Sequence, residues 1–268
     1  MNNITSVCWD ITSKCNDICE FCFRDVESKE LSLNDNLLIL NKFIDYGITK
    51  ITFTGGEASL YPDLWKLIQY AHDHNIYTNL ITNALCINEE FYINVEKYLS
   101  SITLSLDGSD SSIQKIMTRN DNHFDNVITF LENISSMNIE RKINTLVSKK
   151  NISNIPNILP ILYKFKINRW KIIQFIPLRY SAKLNEICFF VSDSDFTKLE
   201  EKIKSEHSNK NLEIKFHSVN SPKKTYFVSA NGYVRNECNK KPSIIGNILT
   251  EDINKIFVAK TKLRLTHD

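Results

Sequence analysis

The sequence is poor in glycine, has no long apolar run and carries little net charge. Only 6 of its 268 residues are glycine, roughly a third of what average usage predicts. Two of them are adjacent, at Gly55 and Gly56, which indicates a specific backbone requirement there. No stretch reaches the roughly 18 apolar residues of a membrane helix. A net charge of +2 is too small to indicate binding to a membrane or a nucleic acid polymer.

The start of the chain, Met-Asn-Asn-Ile-Thr-Ser, lacks the charged and apolar regions of a secretion signal, so we expect a cytoplasmic protein. The seven cysteines are an odd number. In a reducing compartment they argue against a disulfide framework and for thiolates that bind a metal or react. A composition of 42% hydrophobic and 24% charged residues predicts a soluble globular protein with one large domain and at most a modest appendage.

Short β-branched runs alternate with helical patterns along the first two thirds of the chain. Such alternation is typical of repeated β–α–β crossovers and a parallel sheet, and six units predict an α/β fold built as a partial (β/α)6 barrel. The predicted strands are residues 6–12, 50–54, 76–82, 102–106, 142–147 and 170–176. The predicted helices are residues 33–46, 63–74, 124–137 and 155–163.

Alternation within the strands predicts a polar barrel interior. In the first strand, Val7, Trp9 and Ile11 have the apolar character needed to pack against helices, so the residues between them face inward. A closed eight-stranded barrel fills its interior with branched apolar side chains, whereas this interior is predicted to be wet or to hold a ligand. The inward positions are Cys8, Asp10, Thr12, Thr103, Ser105, Asp107, Lys142, Asn144, Arg169 and Lys171.

The pattern changes near residue 190. A helix at residues 193–207, a strand at 212–216, a hairpin of 226–229 with 233–236 and a last helix near 251–257 are predicted. We therefore expect a barrel domain at residues 1–190. A small α+β extension at residues 191–268 is expected to close one end of the barrel.

Three cysteines lie in the loop after the first strand, as Cys15-Asn-Asp-Ile-Cys19-Glu-Phe-Cys22. Thiolates at these spacings can converge on one metal centre. Structural zinc needs four protein ligands, and Cys8 could supply the fourth only if the strand bent back. A [4Fe–4S] cluster with one open iron fits better. Cysteines without partner spacing are Cys8, Cys86, Cys188 and Cys238.

Polar residues mark the ends of the next three strands: Thr-Gly-Gly-Glu at residues 54–57, Thr-Asn at 82–83 and Ser-Leu-Asp-Gly at 105–108. Each one alone is also typical of an ordinary turn. In α/β barrels the reactive groups collect at the carboxyl ends of the strands, so the joint placement of these motifs with the cysteine loop predicts one site.

This combination of CxxxCxxC and a Gly-Gly-Glu strand end resembles the radical S-adenosylmethionine (SAM) superfamily over roughly residues 6–176. The resemblance implies that Cys15, Cys19 and Cys22 bind a [4Fe–4S] cluster and that SAM chelates its open iron. It further implies that Phe21 lies by the adenine. The implied contacts of the methionine ammonium are Gly55, Gly56 and Glu57, and the candidates for the ribose hydroxyls are Thr82, Asn83, Ser105 and Asp107.

The implied reaction is reductive. An electron from the cluster, supplied by a donor such as flavodoxin or ferredoxin, breaks the carbon–sulfur bond of SAM. The resulting 5′-deoxyadenosyl radical takes hydrogen from a small-molecule substrate in the barrel interior, which must be shielded from other donors.

Basic and amide side chains face that interior, which indicates an anionic substrate. The other interpretation is that such strand-end cations are solvated or paired with acidic neighbours. The residues concerned are Lys142, Asn144, Arg169 and Lys171, with Arg119 after the fourth strand.

A second resemblance is to viperin and its prokaryotic relatives, which dehydrate nucleoside triphosphates in antiviral defence. It lies in Lys-Ile-Asn-Thr at residues 142–145, the segment 168–174, Phe-Val-Ser-Asp at 190–193 and Thr225-Tyr226. It implies that Tyr226 is a hydrogen or proton donor near the sugar. The residues it implies as contacts of the nucleotide phosphates are Arg119, Lys142, Asn144, Arg169 and Lys171. The motifs at residues 105–108 and 117–119 are more similar to those of generic members of the radical SAM superfamily than to those of viperin.

Two other functions stay open. One is radical modification of a ribosomal peptide, although only Cys188 and Cys238 follow the barrel, too few for an auxiliary [4Fe–4S] cluster. The other is a non-catalytic iron–sulfur redox sensor, which would need neither the Gly-Gly-Glu strand end nor a polar interior.

Overall fold

Strands alternate with helices through the first two thirds of the chain, as the hydrophobic pattern predicts. The computed structural model describes residues 5–24, 26, 29–178, 180–207, 209–221, 226–236 and 243–257. The first six strands are β1 (Ser6–Thr12), β2 (Lys50–Gly55), β3 (Tyr77–Thr82), β4 (Ser101–Ser105), β5 (Glu140–Val147) and β6 (Arg169–Gln174). Each predicted strand agrees with its counterpart to within two residues at either end.

The connecting helices are α1 (Leu33–Tyr46), α2 (Leu64–Asp73), α3 (Glu89–Tyr98), α4 (Ser111–Ile116), α5 (His123–Asn133) and α6 (Leu159–Lys164), with short 3-10 turns at Ala58–Leu60 and Ile155–Ile158. Helix α1 begins where the Ser32 side chain accepts a hydrogen bond from the Asp35 amide and ends at Gly47, which are common helix start and stop signals. The periodicity did not predict α3, which buries only Phe91 and Val95.

After β6 come α7 (Tyr180–Leu184), α8 (Glu186–Phe189), α9 (Asp193–Glu206) and four more strands, β7 (Glu213–His217), β8 (Tyr226–Val228), β9 (Tyr233–Asn236) and β10 (Ser243–Asn247). Residues 253–257 are helical. Thr225 and Cys238 lie outside the described residues. No helix in the described part of the chain is long and apolar enough to cross a membrane.

The strands form one sheet in the order β10-β9-β8-β1-β2-β3-β4-β5-β6-β7. Neighbours from β1 to β7 are parallel, β8 is parallel to β1, and β9 is antiparallel to both β8 and β10. The prediction of an α/β partial barrel is confirmed. The C-terminal strands extend both edges of the barrel sheet, whereas a domain division near residue 190 and closure of one end stay predictions.

The two faces of the sheet differ as the alternation predicts. Val7, Trp9 and Ile11 are fully buried in the core between sheet and helices. The Trp9 ring there packs against Phe43 with ring centroids 5.5 Å apart. The opposite face of the strands lines the barrel interior and carries buried polar groups such as Thr103. Site residues can therefore project from the inner face and from the carboxyl ends of the strands.

Candidate active site

The glycine pair fixes the start of the cysteine loop against the end of β2. The Gly56 amide donates to the Thr12 carbonyl at 2.9 Å, and the Glu57 amide donates to the Lys14 carbonyl at 2.8 Å. A Cβ atom on Gly55 would overlap the Thr12 carbonyl oxygen, and one on Gly56 would overlap that of Lys14. The scarce glycines are thus required by backbone packing. Their contact with the methionine ammonium stays a prediction.

The three cysteines share this loop and differ in exposure. Cys19 is buried, whereas Cys15 and Cys22 are half-buried. The Arg24 amide donates to Cys22 Sγ at 3.4 Å, and the Cys19 thiol donates to the Asp17 carboxylate at 3.2 Å. Burial raises the pKa of the Cys15 and Cys19 thiols. Nearby guanidinium groups oppose this shift and favour the thiolate.

The donors around the sulfurs fit a thiolate-bound cluster. Besides the Arg24 amide, Arg119 Nη1 lies 3.5 Å from Cys19 Sγ, and hydrogen bonds to sulfur are one of the ways proteins tune such clusters. Among the residues described, no three His, Cys, Asp or Glu side chains are grouped so that they could hold a single metal ion. A [4Fe–4S] cluster does not need that grouping, because each cysteine binds its own iron.

Glu57 joins the ends of β2 and β3 beneath the loop. Its carboxylate is 2% exposed and accepts hydrogen bonds from Thr82 Oγ1 at 2.8 Å, the Asn83 amide at 2.7 Å and the Ser59 amide at 3.1 Å. Burial raises the pKa of Glu57, and these hydrogen bonds oppose the shift. Asn83 Nδ2 also donates to Asn16 Oδ1 at 2.8 Å. The structure therefore brings Glu57, Thr82 and Asn83 together beside the cysteine loop.

Asp107 is engaged within the chain. Its Oδ2 accepts from Arg119 Nε at 2.8 Å, and its Oδ1 accepts from the Leu146 amide at 2.7 Å. Asp107 is 1% exposed, so both carboxylate oxygens already have buried partners. Ser105, two residues earlier on the inner face of β4, is half-buried. Of these two ribose candidates, Ser105 has the more open position.

Phe21 and Arg119 lie together at the loop. The Phe21 ring packs edge-on against Phe189 of α8 with centroids 5.7 Å apart. The Arg119 guanidinium carbon lies 4.8 Å from the centre of the Phe21 ring. Arg119 is thus placed beside the cysteines and Asp107, not on the barrel wall with the other basic residues proposed for the substrate.

Those other basic residues occupy adjacent strands in register. Lys142 pairs with Arg169, and Asn144 pairs with Lys171, across the β5–β6 ladder. Lys142 Nζ donates to Tyr77 Oη at 2.8 Å and to Ser101 Oγ at 2.8 Å.

Acidic neighbours accompany two of the cations: Lys142 Nζ lies 3.1 Å from Glu140, and Arg169 forms an ion pair with Glu213. Pairing with acidic residues, the other interpretation of these cations, is therefore part of the arrangement.

The basic residues of the interior that the sequence did not single out include Arg235. Arg235 on β9 forms an ion pair with Asp10 on β1, and Arg235 is 7% exposed. The hairpin itself is predictable. The pairing of the hairpin with β1 brings Arg235 to the inner face, and no local sequence pattern indicates that pairing.

Tyr226 lies on the outer face. It pairs with Val7 in the β1–β8 ladder, is 1% exposed and belongs to the hydrophobic core. Its ring packs on Phe257 with centroids 4.6 Å apart, and its hydroxyl donates to the Phe257 carbonyl at 3.4 Å. The strand alternation turns Tyr226 away from the barrel interior, which corrects the placement expected from the motif and does not support a catalytic role.

A partial α/β barrel with three cysteines in the loop after its first strand defines a class, the iron–sulfur enzymes that use SAM. The comparisons with known proteins agree. The model of the Radical SAM superfamily matches residues 9–159. The chain belongs to this superfamily, whose enzymes use a [4Fe–4S] cluster and SAM.

Individual relatives give the range of similarity. The chain is 32% identical over 227 residues to an S-adenosylmethionine-dependent nucleotide dehydratase of Flammeovirga pacifica, covering 80% of this chain and 75% of that one. It is 28% identical to a dehydratase of the same description from Lacinutrix mariniflava, covering 73% of this chain and 44% of that one. The structure of Streptococcus suis SuiB with bound SAM has a TM-score of 0.76 at 18% identity, covering 94% of this chain and 65% of SuiB.

Proposed function

We propose that the chain removes water from a nucleoside triphosphate by radical SAM chemistry, a lyase reaction in the manner of viperin that serves antiviral defence. The observation that carries this proposal is the in-register placement of Lys142 with Arg169 and of Asn144 with Lys171 on the inner wall. The similarity to two nucleotide dehydratases supports it. The substrate is then a small anion held within the barrel.

Cys15, Cys19 and Cys22 would hold the cluster. When bound, the cluster and SAM supply an electron and a 5′-deoxyadenosyl radical. The amides and guanidinium groups around the loop favour the thiolate form of the ligands. A one-electron donor such as flavodoxin or ferredoxin is the partner we propose.

SAM would bind at the carboxyl ends of β2, β3 and β4. Glu57 serves there chiefly by holding the strand ends in place, because its oxygens accept from Thr82, Asn83 and Ser59. The backbone of the Gly55-Gly56 pair would face the methionine group, and Ser105, which is half-buried, would be open to bind a ribose hydroxyl. Phe21 would lie by the adenine.

The amino-terminal part of the inner wall carries a surplus of positive charge. Its cations outnumber the two carboxylates of Glu140 and Glu213. Burial, and after it the charge of Lys50, lowers the pKa of Lys142, and burial, followed by the charge of Arg169, lowers the pKa of Lys50. These neighbouring cations therefore repel one another. A phosphate group would relieve this repulsion and would accept hydrogen bonds from several cations at once. The cations are Lys50, which pairs with Tyr77 across β2 and β3, and Lys142, Arg169, Lys171 and Lys215 on the neighbouring strands β5, β6 and β7.

Nucleotide binding should therefore weaken as the pH rises from 7 to 9. Burial, followed by the charge of Lys50, lowers the pKa of Lys142 to about 8. Lys142 is thus cationic at pH 7 and largely neutral at pH 9. Of the groups that face it, Glu140 has a lowered pKa and stays ionised, and Tyr77, with a pKa raised to about 12, stays neutral. Burial also lowers the pKa of Lys50, so loss of its charge acts in the same direction. Loss of one charge-assisted hydrogen bond corresponds to about tenfold in affinity.

Calorimetry with each of the four ribonucleoside triphosphates, at pH 7 and pH 9, measures this effect. Lys142→Gln should bind about tenfold more weakly at pH 7 and should lose most of the pH dependence. Lys204→Gln, which removes an exposed cation of α9, is the matched control and should behave as the unaltered chain. Equal affinity of Lys142→Gln and the unaltered chain at pH 7 would exclude this phosphate site.

A further inference from the structure

The segment 117–119, between α4 and α5, contacts the cysteine loop. Thr118 Oγ1 accepts a hydrogen bond from the Glu20 amide at 2.9 Å. Thr118 has φ of 59°, a left-handed conformation that is costly for a β-branched residue and persists only where the surroundings enforce it. Met117, the residue before it, is fully buried. This backbone presents the next side chain, Arg119, to the loop.

Three groups fix the Arg119 guanidinium. Nε and Nη2 each lie 2.8 Å from Asp107 Oδ2, and the guanidinium lies over the Phe21 ring. The remaining nitrogen, Nη1, lies 3.5 Å from Cys19 Sγ. The Arg119 side chain is 11% exposed. Because so little water reaches this group, its charge is weakly screened.

Asp107 is itself held in place. The Leu146 amide donates to Oδ1 at 2.7 Å, and the Asp107 amide donates to the Gln114 side chain at 3.2 Å. A series of hydrogen bonds thus connects β5 through Asp107 and Arg119 to the sulfur of Cys19. Such an arrangement fixes the direction of one N–H group toward the sulfur, and arginine can be fixed in this way because its donors form a rigid planar fork.

We propose that Arg119, held by Asp107, is a positioning residue that donates a hydrogen bond to the Cys19 sulfur and raises the reduction potential of the cluster. The inference rests on the proposed assignment of Cys19 as a cluster ligand. One electron from an external one-electron donor adds one negative charge to the cluster, and no bond or proton changes at Arg119. A buried cation beside the sulfur stabilises the more negative state, since net charge and hydrogen bonds to sulfur set these potentials.

The test is a potentiometric titration of the reconstituted cluster, monitored by EPR, without SAM or nucleotide. Arg119→Gln should lower the equilibrium constant for cluster reduction at least tenfold, which for one electron is about 59 mV. Arg119→Lys keeps the charge and should shift the potential less. The matched control is Arg141→Gln, because Arg141 donates to the carbonyls of Ile134 and Ser135.

A potential in Arg119→Gln equal to that of the unaltered chain would overturn the inference and leave the proposed function standing. Absence of a cluster from the unaltered chain would overturn the cluster assignment instead. If Arg119→Gln holds no cluster, the comparison of Arg119→Lys with the unaltered chain decides. An equal potential would overturn the inference, because lysine lacks the planar fork that directs one N–H at the sulfur, and a lower potential in Arg119→Lys would support it.

Discussion

Replacement of Cys19 by alanine is expected to abolish cluster binding and SAM cleavage. Cys19 is buried in a small apolar cluster with Phe21, Met117 and Phe189, so its sulfur has a fixed position inside the loop. A substitute ligand from solvent would have to enter this group of apolar side chains. Since loss of even an outer partner of a metal ligand costs 10–100-fold, loss of the ligand should lower 5′-deoxyadenosine formation by more than about 100-fold.

Iron and sulfide analysis after anaerobic reconstitution, together with the 5′-deoxyadenosine yield, measures this effect. Cys188→Ala is the control, because Cys188 is exposed on α8 although it is close in sequence to Phe189. It should retain full cluster content. A Cys19→Ala chain that keeps its cluster and its activity would show that Cys19 is not a ligand.

Replacement of Gly56 by alanine is expected to have the second largest effect. The added Cβ would overlap the Lys14 carbonyl, and both partners are backbone, so neither can rotate away. The hydrogen bonds from the Gly56 and Glu57 amides to Thr12 and Lys14 would have to lengthen or break. We expect a loss of about 3 kcal/mol or more in the free energy of unfolding, with loss of cluster content because Cys15 follows Lys14 directly.

Gly47→Ala is a control with backbone strain and no overlap. Gly47 has φ of 88° and follows α1, and an added Cβ there would have nothing within 4 Å. Its cost should be only about 1 kcal/mol, with unchanged cluster content. Urea unfolding of both variants gives the comparison. Equal destabilisation by the two substitutions would mean that the packing of the cysteine loop on β2 is not tight.

The fold was predictable where the alternation of side chains was strong. Trp9 and Trp170 are apolar and fully buried, and the polar residues between such positions face the interior, so β1 and β6 were placed to within two residues. Tyr226 and Arg235 show the limit. Both lie on a predictable hairpin, but the pairing of β8 with β1 decides which of its faces points inward, and that pairing joins distant parts of the chain.

The site was predictable as a set of motifs, and less so as a set of contacts. Spacing identified the cysteine loop and composition identified Gly55-Gly56, but the packing that requires these glycines is visible only in three dimensions. Arg119 was predicted as a phosphate ligand. Its sulfur partner, Cys19, is 100 residues away, and Asp107, a ribose candidate by its motif, forms an ion pair with it. Arg119 and Asp107 therefore have partners other than the predicted ones, because tertiary packing brings together residues that are far apart in the sequence.

The proposed function is tested most directly by anaerobic incubation with SAM, a strong one-electron reductant and each of the four ribonucleoside triphosphates in turn. The proposal predicts that at least one nucleotide raises the yield of 5′-deoxyadenosine above the background without nucleotide, and that mass spectrometry detects a nucleotide product lighter by one water. Equal, low yields with all four nucleotides and with none would contradict it.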